Sequence, residues 1–190
     1  MLVLVCGKAG AGKDTIGAYL CDYYGFRGDS LASPIKRLVK DIFVLDDQRV
    51  YDRALREEPL PDWHPWTVRK LLQFIGTEMF RSSICPEVWV KSLWLRVRDN
   101  PANWVVTDVR FPNELGFLKW KFPDCISIKV VRNGSDGITK GGIANHESEA
   151  YDLGTDWTVT NNDSFDDLYA EIDVIMSRHN IKRTVTASCQ

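Results

Sequence analysis

The chain lacks the features that mark a disulfide-stapled, metal-clustered or membrane-spanning protein. Its five cysteines (Cys6, Cys21, Cys85, Cys125 and Cys189) are scattered, odd in number and without C-x-x-C spacing. That pattern excludes a disulfide framework or a zinc cluster as the organising device and fits reduced thiols in a cytoplasm. No stretch has the apolar length needed to cross a bilayer. The opening apolar run, residues 2–6, is too short for a secretory signal and has no basic flank. Neither sign of charge dominates. A net charge of −2 predicts no extended basic surface for nucleic acid or membrane, so any anion site must be a local cluster of lysines and arginines. Internal repeats and domain linkers are missing as well. What remains is a composition of 44% apolar and 26% charged residues over 190 positions, enough to bury the core of one α/β domain.

Against that plain background one stretch stands out, Gly7-Lys8-Ala9-Gly10-Ala11-Gly12-Lys13-Asp14-Thr15. It follows an apolar run that reads as a buried strand. It precedes an amphipathic run (Ile16, Tyr19, Leu20, Tyr23) that reads as a helix. Strand, glycine loop and helix together make a phosphate-binding loop, or P-loop, the natural reading. The glycines let backbone amides face inward, the helix adds its positive end, and Lys13 supplies a mobile charge for terminal phosphates. The pattern asks for Ser or Thr directly after the lysine to ligate Mg²⁺, whereas here Asp14 intervenes before Thr15. The alternative is a ligand-free glycine turn.

Further along, residues 25–32 predict a short second strand, and Ser33-Pro34 an N-cap with proline opening a helix over 34–45. Lys36 in its first turn opposes the helix dipole, which suits either a solvated face or a nearby anion. Three prolines between residues 59 and 65 predict an irregular loop. Thr67 then caps a helix on which Arg69 and Gln73 share one face, with Gly76 interrupting or bending it and Arg81 following. Two arginines and an amide could hold a phosphate and read a base; the plainer alternative is a surface helix with a salt bridge to Glu78. Residues 86–98 predict a further helix. A strand over 104–108 ends in Asp108, well placed to hold Mg²⁺ or its waters, with Arg110 aimed at the same crevice. A helix over 114–121, a strand over 125–132 ending in Arg132, a glycine-rich lid after it, a strand over 157–162 and a last helix capped by Ser164 complete the pattern. Strand-end residues Lys13, Asp108, Arg110, Arg132 and Asn161 would converge on one crevice of a doubly wound sheet. Such a set suits phosphoryl transfer from a nucleoside triphosphate to a second anionic substrate, by positioning and charge neutralisation.

The P-loop, the Leu71-Leu72-Gln73-Phe74-Ile75-Gly76-Thr77-Glu78 segment running on to Arg81, Thr107-Asp108-Val109-Arg110-Phe111-Pro112-Asn113-Glu114, and His146-Glu147-Ser148-Glu149 resemble the deoxynucleoside monophosphate kinases of tailed bacteriophages, in order from about residue 1 to 175. The resemblance implies an α/β, adenylate-kinase-like three-layer fold with a five-stranded parallel sheet flanked by helices. It implies one kinase domain over 1–180, an acceptor-binding helical region near 31–100, a lid near 133–149 and a frayed tail over 181–190. The implied reaction moves the γ-phosphoryl group of ATP to a deoxynucleoside monophosphate (dNMP), with Mg²⁺. Gly10, Ala11, Gly12, Lys13, Asp14, Thr15 and Arg132 would hold ATP, and Thr15 and Asp108 the Mg²⁺, directly or through water. Lys36, Arg69, Gln73, Arg81, Asp108, Arg110 and Glu149 would bind the acceptor, with Lys13, Asp108, Arg110 and Arg132 catalytic. Small molecules would be the partners, without nucleic acid or membrane, in a host cytoplasm if the chain is of phage origin; monomer and homodimer stay open. A resemblance to the animal type of phosphomevalonate kinase, on Glu147-Ser148-Glu149 and Asp152-Leu153, implies a different acceptor. A GTPase-type switch would need a guanine-reading Asn-Lys-x-Asp, which does not occur.

Overall fold

The computed structural model describes residues 1–132 and 153–184. Five strands form one all-parallel sheet: β1 (Leu2–Cys6), β2 (Arg27–Asp29), β3 (Trp104–Val106), β4 (Ile126–Val131) and β5 (Trp157–Thr160). Their spatial order is β2-β3-β1-β4-β5. Val3 of β1 lies opposite Val105 on one side and Ile126 on the other. Every residue of β1 is buried, which is why its sequence is an unbroken apolar run rather than an alternation. Because all pairings are parallel, every strand delivers its carboxyl end to the same edge of the sheet. The expected five-stranded parallel α/β sheet is therefore present.

Helices cover the sheet. On one face Val3, Val5, Val105, Ile126, Ile128 and Val130 form a core with α1 (Lys13–Tyr24) and α7 (Phe165–Arg178), through Ile16 and Leu20 of the first and Leu168, Ile172 and Met176 of the second. The alternate β1 residues Leu2, Leu4 and Cys6 are equally buried, as are Leu115 and Leu118 of α6 (Pro112–Lys121). Helix α7 starts where Ser164 accepts a hydrogen bond from the Asp167 amide while Asp167 accepts from Ser164, a reciprocal cap.

The chain divides into two units. One holds the sheet, residues 1–30 together with the described residues from Trp94 onward; the other is Leu31–Leu93. The second unit contains α2 (Ser33–Ile42), α3 (Asp47–Tyr51), α4 (Val68–Gln73) and two 3₁₀ turns, Leu55–Glu57 and Pro61–Trp63. Helix α5 (Val88–Val97) runs across the boundary. Ser33 is the first helical residue of α2, with Ala32 at the cap position and Pro34 next in the first turn, one step displaced from the expected cap. Thr67 caps α4 as expected, its side chain accepting from the Lys70 amide. Gly76 does not end the helix. The chain continues from α4 into a π-helical segment, Phe74–Ser82, in which the Gly76 carbonyl accepts from the buried Trp89 indole at 2.8 Å.

A polar lock joins α1, α7 and the segment after α7. Asp173 accepts from the hydroxyls of Tyr24 at 2.6 Å and Tyr19 at 2.7 Å, and pairs with Arg183, which also donates to Tyr19. Thr184 donates its amide to the Tyr23 carbonyl at 2.9 Å. Residues 181–184, assigned from sequence to a tail, thus carry specific bonds, while residues 185–190 lie outside the described residues. Burial works to raise the Asp173 carboxyl, but the hydrogen bonds from Tyr24, Tyr19 and Arg183 outweigh it and hold the group below the usual carboxylate range. A depressed pKa stabilises the fold above about pH 4, the unfolded value, and that stabilisation fades as the pH falls through the folded value. Replacing Asp173 with Asn should therefore lower unfolding stability more at pH 7 than at pH 3. Urea unfolding at both pH values checks this; a gap of equal size at each would contradict it.

Candidate active site

The glycine loop turns between β1 and α1 under two constraints from below. Gly12, the residue before α1, has φ of 106°, and a Cβ there would stand 2.3 Å from Asn161 Nδ2. Gly7 has φ of 141°, and a Cβ would stand 2.4 Å from the Val130 carbonyl oxygen of β4. Only glycine meets both the backbone angle and the close approach. Within the loop the Lys8 carbonyl accepts from the Ala11 amide at 3.2 Å and from Lys13 Nζ at 2.7 Å. Lys13 is thus folded over its own loop, on a stem that can swing from that carbonyl to a phosphate. The first-turn amides of α1 lack intrahelical acceptors by geometry, and Gly12 has no side chain to cap them. They are oriented donors at a positive helix end.

Asp14 does not stand alone in place of the usual Ser or Thr. Its Oδ1 accepts from the Thr107 hydroxyl at 3.0 Å, tying the start of α1 to the chain leaving β3. That approach is close: a Cβ on Gly17 would stand 2.7 Å from Thr107 Cγ2. Because β3 pairs with β1, with Val106 opposite Leu4, residues 107–110 emerge beside the glycine loop. Asp108 is half-buried there and Arg110 is exposed. Glu114, buried at 4% exposure, accepts from the amides of Arg110 at 2.9 Å and Phe111 at 3.1 Å, fixing the turn that presents Arg110. Arg132 follows β4 on the other side of β1 and is exposed. Gly10, Ala11, Gly12, Lys13, Asp14, Thr15, Asp108, Arg110 and Arg132 therefore share the carboxyl edge of one sheet. Cys6, at the end of β1, has its thiol pushed up to about 12 by burial and then by the charge of Glu114, which keeps it inert.

Lys36, Arg69, Gln73 and Arg81 lie in the second unit. Lys36 of α2 places its ammonium 4.8 Å from the Tyr51 ring centroid. On α4, Arg69 pairs with Glu57 at 2.6 Å rather than with Glu78, and Gln73 on the same helix is exposed. Arg81, in the π-helical segment, donates from Nε to the Pro86 carbonyl at 3.2 Å. Glu149 and the expected lid over 133–149 lie outside the described residues; Arg132 is the last described residue before them. Sequence reasoning gave Thr107 and Glu114 no individual role and placed Asn161 only among the strand ends of the crevice. Only the strand order reveals what each of them touches.

Glu114 offers a direct check on this geometry. Its carboxylate receives two backbone hydrogen bonds in a buried position, so Glu114→Ala should destabilise the fold by about 1.5–3 kcal/mol. Denaturant titration reads that loss, and a change below about 0.5 kcal/mol would contradict the role given to the carboxylate.

The chain is similar to known proteins in sequence and in fold. A family model described as deoxynucleotide monophosphate kinase matches residues 53–172. A protein of Acanthamoeba polyphaga mimivirus, carrying that name provisionally, is 30% identical over 188 residues, covering 90% of this chain and 94% of its own. The deoxynucleotide monophosphate kinase of Escherichia phage RB69 is 29% identical over 131 residues, covering 65% of this chain and 50% of its own. Among solved structures, one from Thermus thermophilus superposes with a TM-score of 0.52 at 14% identity, over 94% of this chain and 97% of that one, a likeness of fold. The glycine loop, the Asp108–Arg110 turn and the long match to the mimivirus protein lead to one assignment: the chain belongs to the deoxynucleotide monophosphate kinase family.

Proposed function

We propose that the chain transfers the γ-phosphoryl group of ATP to a deoxynucleoside monophosphate, yielding the diphosphate and ADP. The observation that carries this reading is the glycine loop with Lys13 beside the Asp108–Arg110 turn, in a chain of this family. In the reaction the bond between the γ-phosphorus and the β,γ-bridging oxygen breaks, and a bond from an acceptor phosphate oxygen forms. That oxygen is already anionic near neutral pH, because the second phosphate pKa lies near 6. No general base is required, so the charged side chains have only to position and neutralise.

Each residue then takes a role that its chemistry suits. The loop amides and Lys13 cradle the donor's phosphates, Lys13 leaving the Lys8 carbonyl to follow the γ-phosphate. Arg110 and Arg132 neutralise the transferring group. Arg69 and Arg81 hold the acceptor phosphate, with Gln73 and Lys36 toward its sugar or base; Arg69 would exchange Glu57 for that phosphate. The Thr15 hydroxyl and Asp108 carboxylate are hard oxygen donors, and no cluster of three or more His, Cys, Asp or Glu side chains suited to a metal occurs among the described residues. That set suits Mg²⁺, which keeps several waters and takes other ligands from phosphates. An ion held by Thr15 and Asp108 would supply positive charge against the donor's phosphates. No helix among the described residues is long and apolar enough to cross a membrane.

The testing experiment is ADP release from Mg·ATP with each dNMP, each ribonucleotide and phosphomevalonate as acceptor. ADP formation that depends on one or more dNMPs is the expected result. Activity on phosphomevalonate alone, or none with any acceptor, would overturn the reading. Lys13→Ala should cut turnover by about a hundredfold or more without lowering thermal stability, and near wild-type turnover would remove the loop from the chemistry.

A further inference from the structure

We infer that Asn161 is a positioning residue for phosphoryl transfer, acting on the donor site through the glycine loop rather than by touching substrate. Asn161 follows β5, two strands from β1. Its backbone is pinned by donating to the Val131 carbonyl at 2.8 Å, and its side chain reaches back under the loop. There Nδ2 donates to the Ala11 carbonyl at 2.8 Å, with the residue only 5% exposed.

The bond sets the orientation of one peptide group. In a planar trans peptide the carbonyl and the following N–H point in opposite directions. Holding the Ala11 carbonyl down toward Asn161 therefore turns the Gly12 N–H away from Asn161, to the other side of the loop. Glycine at 12 removes the Cβ that would otherwise resist rotation of this peptide, so the loop needs an outside anchor to keep one orientation. Asn161 is that anchor, and its amide fills the space that any side chain at 12 would need. A freely rotating peptide could present its carbonyl to the phosphates, and an oxygen there repels what an N–H attracts. Preorganised donors act on a transferring phosphoryl group only if they do not have to reorient first.

This inference rests on the proposed ATP-binding role of the loop, and the test separates the two. ATP and dNMP binding are titrated calorimetrically on wild type, Asn161→Ala and Asn161→Asp, with thermal unfolding as the check on folding. Asn161→Asp keeps the shape but replaces the donor with an oxygen facing the Ala11 carbonyl. Both variants should bind ATP about tenfold more weakly, Asn161→Asp the weaker, while dNMP affinity stays within threefold of wild type. If Asn161→Asp fails to fold, Asn161→Ala decides alone. ATP affinity within threefold of wild type, or a parallel loss of dNMP affinity, would overturn the positioning role. Failure of the wild type to bind ATP would instead remove the reading of the loop on which the inference depends.

Discussion

The Ala11 carbonyl held by Asn161, and the Lys8 carbonyl held by Ala11 and Lys13, fix the glycine loop from within and from below. In a loop with three glycines only Ala11 packs its side chain into the core, so these bonds do most to choose its shape. The sheet supplies the anchoring points. Its parallel register brings the ends of β4 and β5 under the loop and the end of β3 beside it. An antiparallel neighbour would deliver a strand beginning instead, and the carboxyl edge would lose its concentration of loops.

The same logic of shared anchors extends away from the site. Asp156 accepts from the Ser127 amide at 2.9 Å and pairs with Lys119 at 2.8 Å, joining the starts of β4 and β5 to α6. Burial works to raise this carboxyl, yet Lys119 and Ser127 hold it below the usual range, as the tyrosines and Arg183 do for Asp173. Each carboxylate gathers three separated segments at one point. One links two helices and the segment after α7, the other a helix and two strand starts.

Much of this was legible in the sequence. Leu2-Val3-Leu4-Val5-Cys6 announced a buried strand because a strand covered on both faces needs no polar side. The loop was legible because glycine spacing, lysine and a following helix have one common physical use. Local capping was partly legible: Thr67 and Ser164 cap as expected, whereas the cap before Pro34 is Ala32 because Ser33 enters the helix. Gly76 misled for a physical reason. Its missing side chain permits the close approach of Ile35, 3.1 Å from where a Cβ would stand, while the helix widens into a π segment instead of breaking. Partners across the chain were not legible. Arg69 finds Glu57 rather than Glu78, and Asn161 finds Ala11, because such pairings follow from strand order and loop path.

In the proposed reaction the carboxyl edge of the sheet passes a phosphoryl group from ATP to a deoxynucleoside monophosphate. The most direct measurement supplies the whole chain with Mg²⁺, γ-labelled ATP and the four dNMPs, and separates the products by chromatography. Label should appear in one or more deoxynucleoside diphosphates, with little released as inorganic phosphate. Label found only in inorganic phosphate, or retained in ATP, would contradict it.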